Sequence, residues 1–156
     1  MIGGVSEVLV ALLAAALVAA ALWDLRTRTI PNGLTLAIAL AAIPFWWATG
    51  MAFWPEAALR IGIAALVFGA FALAFAMRLM GGGDVKLLAA LALWLPPGTV
   101  LLVIVIMSLA GGALTLAMLI RHRLKRADHG LEVPYGVAIA FAGLWVIGER
   151  FLNQFG

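Results

Sequence analysis

The chain has no cysteine and unusually little charge. Because none of its 156 residues is cysteine, a disulfide framework, a thiolate metal site and a cysteine nucleophile are all excluded. Charged residues make up 11% of the chain and apolar residues 66%, whereas a soluble domain is about 25% charged and about half apolar. This balance excludes disorder, argues against a water-soluble domain and favours an integral membrane protein.

Charged residues divide the chain into long apolar segments that predict helices. Uncharged runs cover residues 8–23, 29–55, 61–77, 87–120 and 133–148. A bilayer core about 30 Å thick needs about 20 apolar residues per helix, so the fourth run, with 34 residues, is too long for one crossing. Pro96-Pro97-Gly98 breaks that run. We therefore predict six helices, with a short fourth one, at about 5–24, 33–50, 57–79, 84–96, 98–120 and 135–153.

The predicted fold class is all-α, a single integral membrane domain over residues 1–156 with about six transmembrane helices. The loops after the first, third and fifth helices carry eight of the ten Lys and Arg residues. The positive-inside rule places these loops in the cytoplasm and both termini on the non-cytoplasmic side. Residues 1–23 are expected to remain as the first helix rather than to be cleaved as a signal peptide, because no Lys or Arg precedes Arg26.

Several smaller features predict contacts with lipid and with other helices. The basic run over residues 121–126 is expected to bind anionic lipid headgroups and not nucleic acid. A stripe of small residues on the third helix fits packing inside the bundle and is also compatible with an oligomer. No histidine and acidic residue share metal-ligand spacing on a helix, so no metal site is expected. Four tryptophans near the outer helix ends predict an aromatic belt: Trp46, Trp47, Trp54 and Trp94.

Two aspartates stand out among the seven acidic residues. Asp24 ends the first apolar run, and Asp84 begins the short fourth helix directly after Gly81-Gly82-Gly83. Two full crossings separate them, so both lie at the cytoplasmic edge of the bundle. Two carboxylates held close together cannot both ionise easily, so one keeps its proton while the other becomes a base. Such a pair can activate a water on one side of an amide and protonate the amide on the other, and the glycines would let a peptide backbone approach Asp84.

Other interpretations of the two aspartates stay open at this point. Each could cap a helix end or pair with a nearby cation, namely Arg26, Arg28 or Lys86. A small proton-coupled transporter or a non-enzymatic membrane assembly factor would use the same carboxyls as proton carriers or packing groups. Transport usually needs polar residues along the span, and the second, third and fifth helices nearly lack them.

Three motifs carry a resemblance to a known family. They are Asp24-Leu25-Arg26 followed by Ile30-Pro31-Asn32, then Gly81-Gly82-Gly83-Asp84-Val85-Lys86, and Val133-Pro134-Tyr135-Gly136. With this spacing, the chain resembles the type IV prepilin peptidases, membrane aspartic proteases with a Gly-x-Gly-Asp signature, over nearly its whole length. The resemblance implies that Asp24 and Asp84 form the catalytic pair and that no cofactor is needed. It also implies supporting or substrate-binding residues at Gly81, Gly83, Lys86, Arg28, Pro31, Asn32, Pro134, Tyr135 and Gly136.

The resemblance also implies a substrate and a location. Members of this family remove the short basic leader of type IV-like prepilins at the cytoplasmic face of the prokaryotic inner membrane, just before the apolar helix of the pilin. Long forms carry a cytoplasmic insert after helix one, often with cysteine pairs, and can methylate the new pilin N-terminus. This chain has no such insert and no cysteine, so it looks like the short peptidases of tight-adherence pilus systems or their archaeal preflagellin counterparts, and methylation is not expected.

Overall fold

All regular structure in the described part of the chain is helical. The computed structural model describes the backbone of residues 2–125 and 133–154, and the side chains of residues 4–121 and 133–150. Most side chains of the basic run over 121–126 therefore lie outside the described residues. The α-helices are α1 (Ile2–Thr27), α2 (Asn32–Ala48), α3 (Ala58–Ala76), α4 (Gly82–Ala92), α5 (Pro97–Lys125) and α6 (Tyr135–Gln154), and a π-helical turn, Phe53–Ala57, leads into α3. The predicted all-α class and the short fourth helix are confirmed.

Three segments are long and apolar enough to cross a membrane. They are Gly4–Thr27, Phe53–Ala76 and Pro97–Arg121, and the shorter α2 is also apolar. Their outer surfaces carry large aliphatic side chains such as Leu66, which is 72% exposed, and Leu109, which is 71% exposed. A soluble fold would bury these side chains, because exposing them to water is unfavourable. The apolar exterior therefore fits a lipid environment.

Helix ends differ from the predicted ones for local reasons. α3 ends at Ala76, a few residues early, because Arg78 adopts a left-handed backbone with φ of 60°. Arg28 does the same after α1, with φ of 55°. α4 ends at Ala92, before Pro96. The N–H groups of Trp94 and Leu95 donate to the carbonyls three residues earlier in the chain, as in a 3₁₀ turn.

The short helix α4 lies at the centre of the bundle. It packs against α2, α3 and α6, while α6 also contacts α1 and α5. Leu87, Leu88 and Leu91 of α4 are at most 1% exposed. A Cβ atom on Gly143 of α6 would lie 2.9 Å from Leu17 Cδ1 and 3.0 Å from Leu91 Cδ2. α1, α4 and α6 therefore meet closely at this glycine, and α4 is held on several sides.

Two of the four predicted belt tryptophans lie in the core. The indole N–H of Trp46 donates to the carbonyl of Leu93 at 2.9 Å, and that of Trp94 donates to the carbonyl of Ile38 at 2.9 Å. Trp46 is 9% exposed and Trp94 only 2% exposed. The belt prediction is therefore wrong for these two residues, since their polar N–H groups bind backbone carbonyls inside the bundle. Trp47 and Trp54 are exposed, as a belt requires.

Candidate active site

The structure brings Asp24 and Asp84 together at one end of the bundle. Asp24 lies in the last turn of α1 and Asp84 in the first turn of α4. They are 4% and 7% exposed, and only one other polar side chain is buried in the described part of the chain, Thr35. The charge of Asp24 acts on Asp84, so the two carboxyls lie within electrostatic reach of each other. Both acids lie at one end of the bundle, as the crossing count predicted.

The N-terminus of α6 faces both carboxyls. The backbone amide of Gly136, the second residue of α6, interacts with Asp24 and with Asp84. The first N–H groups of a helix have no partner within the helix and carry a partial positive charge. This helix end therefore favours negative charge at the point where the two carboxyls converge.

Glycines make this convergence sterically feasible. A Cβ on Gly136 would lie 2.8 Å from Oδ2 of Asp24, and a Cβ on Gly81 would lie 2.9 Å from Oδ2 of Asp84. At Gly83, a Cβ would come within 3.1 Å of Cβ of Ile30. Gly81 and Gly83 were expected to let a peptide approach Asp84, and the atoms nearest to their added Cβ positions belong to Asp84 and Ile30. Their role in the structure is to let α1, α4 and α6 place two acids in a confined volume.

One carboxyl oxygen of this cluster has no internal partner. Oδ2 of Asp24 is buried and accepts no hydrogen bond from the described residues. An unsatisfied buried polar atom costs about 1–3 kcal/mol, so folds rarely keep one unless it serves a purpose. A carboxyl oxygen left free in this way is available to bind a reactant.

The two alternative roles, ion pairing and helix capping, differ in their support at Asp84. The N-cap residue of α4 provides no side-chain cap. The amine of Lys86 donates to Oδ1 of Asn32 at 2.9 Å, which links α4 to α2. Arg28 is exposed, and its charge acts on Asp24. The backbone amide of Gly81, at the start of α4, interacts with the carboxyl of Asp84, so this side chain also contributes to capping α4.

The remaining predicted residues surround this cluster at different distances. Pro31 immediately precedes α2, and its carbonyl accepts the N–H groups of Leu34 and Thr35. Pro134 is buried just before α6. Tyr135 packs on α5, where a Cβ on Gly111 would lie 3.0 Å from its Cε1 atom. Pro31 and Pro134 thus lie at the starts of α2 and α6, and Tyr135 links α6 to α5.

Sequence reasoning missed Ile30 as a part of the site. Ile30 is 6% exposed, and its side chain reaches both Gly83 and the space next to Gly136. It seals the carboxyl cluster from one side with aliphatic atoms. Its place directly before Pro31 was a usable signal, because an apolar residue in an otherwise polar loop often packs inward. Among the described residues, no group of three or more His, Asp or Glu side chains lies close enough to hold a metal ion.

Comparison with known proteins agrees with these features. The pattern of the type IV leader peptidase family matches residues 11–116, which include both aspartates. Over 80 residues the chain is 40% identical to a prepilin leader peptidase/N-methyltransferase of Pseudomonas aeruginosa, across 51% of this chain and 26% of that protein. The chain thus spans about a quarter of that relative's length, and no solved structure matches it significantly. Because the family pattern covers more than half of the chain, the protein belongs to the type IV leader peptidase family.

Proposed function

We propose that this protein is a membrane aspartic endopeptidase that removes the leader of type IV-like prepilins. The observation that carries the proposal is the pair of buried carboxyls, Asp24 and Asp84, brought together at the N-terminus of α6. The relative from Pseudomonas aeruginosa is named a prepilin leader peptidase, which supports a prepilin substrate. Its second printed activity, N-methyltransferase, is not part of the proposal, because the alignment covers 26% of that protein.

The chemistry needs one carboxylate and one carboxylic acid. Because two carboxylates in one site repel each other, one of them keeps a proton. The ionised group takes a proton from a water, whose oxygen attacks the carbonyl carbon of the scissile amide, while the protonated group gives its proton to the carbonyl oxygen. When the tetrahedral intermediate collapses, one of its hydroxyls returns a proton to the carboxylate that gave one, the nitrogen takes the proton held by the other acid, and the C–N bond breaks. The products are the leader's carboxyl group and the new amino terminus of the pilin.

We place this site at the cytoplasmic edge of a six-span bundle with both termini outside. The aspartate end of the bundle also holds Arg28, Arg78 and Lys86, and basic residues concentrate on the cytoplasmic side of membranes. Glu7 and Arg150 line a cavity at the other end. In this orientation the substrate's leader stays in the cytoplasm, while its apolar helix lies in the inner membrane.

Transport is the less favoured alternative. A proton path across the membrane needs polar groups at several depths. Apart from the indoles of Trp46 and Trp94, whose N–H groups are bound to backbone carbonyls, the buried polar side chains in the described part of the bundle are Asp24, Thr35 and Asp84, and all three lie toward the same end. The distribution supports chemistry at one face rather than passage between two faces.

Co-expression with a prepilin in a host without its own peptidase tests the proposal. Wild type should release the leader, whereas Asp24→Asn and Asp84→Asn should lower cleavage by roughly a thousandfold, since general acid–base groups contribute about 10²–10⁴-fold. Mass spectrometry of the pilin N-terminus measures the outcome. Glu7→Gln, which removes an exposed carboxylate at the far end of α1, is the matched control and should cleave normally. Full cleavage by either Asn variant, or an uncut pilin with well-expressed wild type, would overturn the proposal.

A further inference from the structure

A short connector joins α1 to α2 at the carboxyl end of the bundle. It comprises residues 28–31, between the last residue of α1 and the first residue of α2. Arg28 begins it with a left-handed backbone, with φ of 55°, and Pro31 ends it with a carbonyl that accepts bonds from the first turn of α2. Thr29 and Ile30 lie between these two positions, and Thr29 is exposed while Ile30 is buried. We call residues 28–31 the α1–α2 connector.

The buried residue of the α1–α2 connector packs against two glycines of the candidate site. A Cβ on Gly83 would lie 3.1 Å from Cβ of Ile30 and 3.2 Å from its backbone nitrogen. A Cβ on Gly136 would lie 2.8 Å from Cδ1 of Ile30 and also 2.8 Å from Oδ2 of Asp24. The terminal methyl of Ile30 and the unpartnered oxygen of Asp24 are therefore close neighbours.

Packing alone holds Ile30 in this position. Within the described part of the chain, neither its N–H nor its carbonyl has a hydrogen-bond partner. The glycines that it contacts have no side chains to interlock with it. Large movements in proteins often use a few loop residues that absorb the change in backbone angles. Rotation about the backbone bonds of Thr29 and Ile30 can therefore withdraw the isoleucine side chain while α1 and α2 stay in place.

The carboxyls are closed to reactants in this arrangement. Asp24 and Asp84 are 4% and 7% exposed, and Oδ2 of Asp24 is buried without a partner among the described residues. A general base must come within about 2.6–3.2 Å of the group whose proton it takes, directly or through one water. A peptide that approaches Asp24 past Gly136 meets the side chain of Ile30 first. Amide hydrolysis by this route requires that Ile30 move.

We propose that Ile30 controls access to the carboxyl pair and that the α1–α2 connector moves aside to admit the substrate. The inference rests on the proposed function, to which it adds a residue and a movement. With the side chain in place, aliphatic atoms keep water and unrelated peptides from Asp24. When the prepilin segment around the cut bond displaces Ile30, its amide can reach Oδ2 of Asp24. Because only the open form binds the substrate, the apparent affinity falls in proportion to the fraction of open molecules.

Chemical labelling of the carboxyls tests access without any substrate. A water-soluble carbodiimide with an added amine converts accessible carboxyls to amides, and peptide mass spectrometry measures the label at each position. Ile30→Ala removes buried atoms that hold the connector in place. Labelling of Asp24 and Asp84 should therefore rise about tenfold, in proportion to the open population. Glu7 is exposed at the far end of α1 and should be labelled equally in both proteins.

Cleavage kinetics test whether the same opening admits the substrate. For Ile30→Ala, the KM for prepilin should fall about tenfold while kcat stays within about twofold of wild type, since the fraction of competent molecules rises. Ile30→Val, which removes one methyl group and keeps a buried aliphatic side chain, should give a smaller change in the same direction.

Ile38→Ala is the matched control for these experiments. Ile38 lies in α2 and is 3% exposed, and its carbonyl accepts the indole N–H of Trp94 at the opposite end of the bundle. The substitution removes the same atoms from an equally buried position away from the carboxyls. It should leave both the labelling of the aspartates and the KM unchanged.

Three results would overturn the role of Ile30. Equal labelling of the two aspartates in wild type and Ile30→Ala would show that this side chain does not limit access. A higher KM or slower cleavage in both Ile30→Ala and Ile30→Val would show that Ile30 supports the site in its present position. Labelling that rises equally in Ile38→Ala would show that any loss of packing loosens the bundle.

The labelling also separates this inference from the proposed function. If wild type cleaves the prepilin while the labelling of Ile30→Ala is unchanged, the access role is wrong and the peptidase stands. If wild type leaves the prepilin uncut, the proposed function fails, whatever the labelling shows.

Discussion

The two ends of the helix bundle differ in what they bury. At one end Asp24 and Asp84 are buried beside glycines, and Oδ2 of Asp24 has no partner among the described residues. At the other end Trp46 and Trp94 are buried with both indole N–H groups donating to backbone carbonyls. The first end leaves this buried oxygen unsatisfied, which costs stability. The second end satisfies its polar groups and fills its volume, which supplies stability.

α4 joins these two ends. Asp84 lies in its first turn, and Trp94 lies two residues beyond its last residue, Ala92. The ring of Phe45 packs on Trp94 at 4.8 Å between centroids, and Nη1 of Arg60 donates to the carbonyl of Trp94 at 2.6 Å. A short helix anchored this firmly at one end can hold the buried carboxyl of Asp84 at the other. Under the proposed function, chemistry and stability are divided along the length of one helix, as active sites commonly require.

The largest expected effect comes from adding one methyl group at the carboxyl end. Gly136→Ala places a Cβ 2.8 Å from Oδ2 of Asp24 and 2.8 Å from Cδ1 of Ile30, so the carboxyl or the start of α6 must move. A displacement of about 1 Å at a reacting group costs about a hundredfold in rate. We therefore expect leader removal to fall about a hundredfold, measured as cleaved prepilin over time in reconstituted vesicles.

A glycine on the same helix supplies the control for this change. Gly148 of α6 has no atom within 4 Å of its added Cβ, so Gly148→Ala should keep wild-type cleavage. Equal losses from both substitutions would mean that any change in α6 disturbs the bundle. Wild-type cleavage by Gly136→Ala would mean that the crowding at Asp24 has no bearing on the reaction.

A smaller loss is expected at the other crowded glycine. Gly81→Ala brings a Cβ to 2.9 Å from Oδ2 of Asp84, but this contact is with the far end of one side chain, which can rotate. We expect a loss of about tenfold in cleavage, corresponding to about 1.4 kcal/mol in the barrier. Gly33→Ala, near the same end with open space around its Cβ, should cleave normally. A loss at Gly81 as large as that at Gly136 would show that Asp84 cannot adjust.

The sequence predicted that both aspartates lie at one end of the bundle, but it did not predict the contacts that hold them there. Charges that punctuate the apolar runs located the helices, and two crossings between Asp24 and Asp84 placed both acids at one end. The approach of Gly136 to Asp24 joins residues more than a hundred positions apart, so no local pattern predicts it. The burial of Trp94 was missed because a tryptophan near a helix end suits either a membrane interface or a core. Only the packing of α2 on α4 decides between them.

A substitution at the tryptophan end should lower the stability of the protein and leave the rate of leader removal nearly unchanged. Trp94→Phe removes the N–H that donates to Ile38 and shrinks a side chain that is 2% exposed. The lost hydrogen bond and the small cavity together should cost about 2 kcal/mol of unfolding free energy, seen as a lower thermal midpoint in detergent micelles. Trp47→Phe, at a position that is 88% exposed, should leave the midpoint unchanged.

At temperatures below the lowered midpoint, Trp94→Phe should remove the leader at a rate within about twofold of the wild-type rate. A twofold change corresponds to less than about 0.5 kcal/mol in the activation barrier. A large loss of cleavage with an unchanged midpoint would show that the tryptophan end takes part in the reaction, and the division between the two ends would fail.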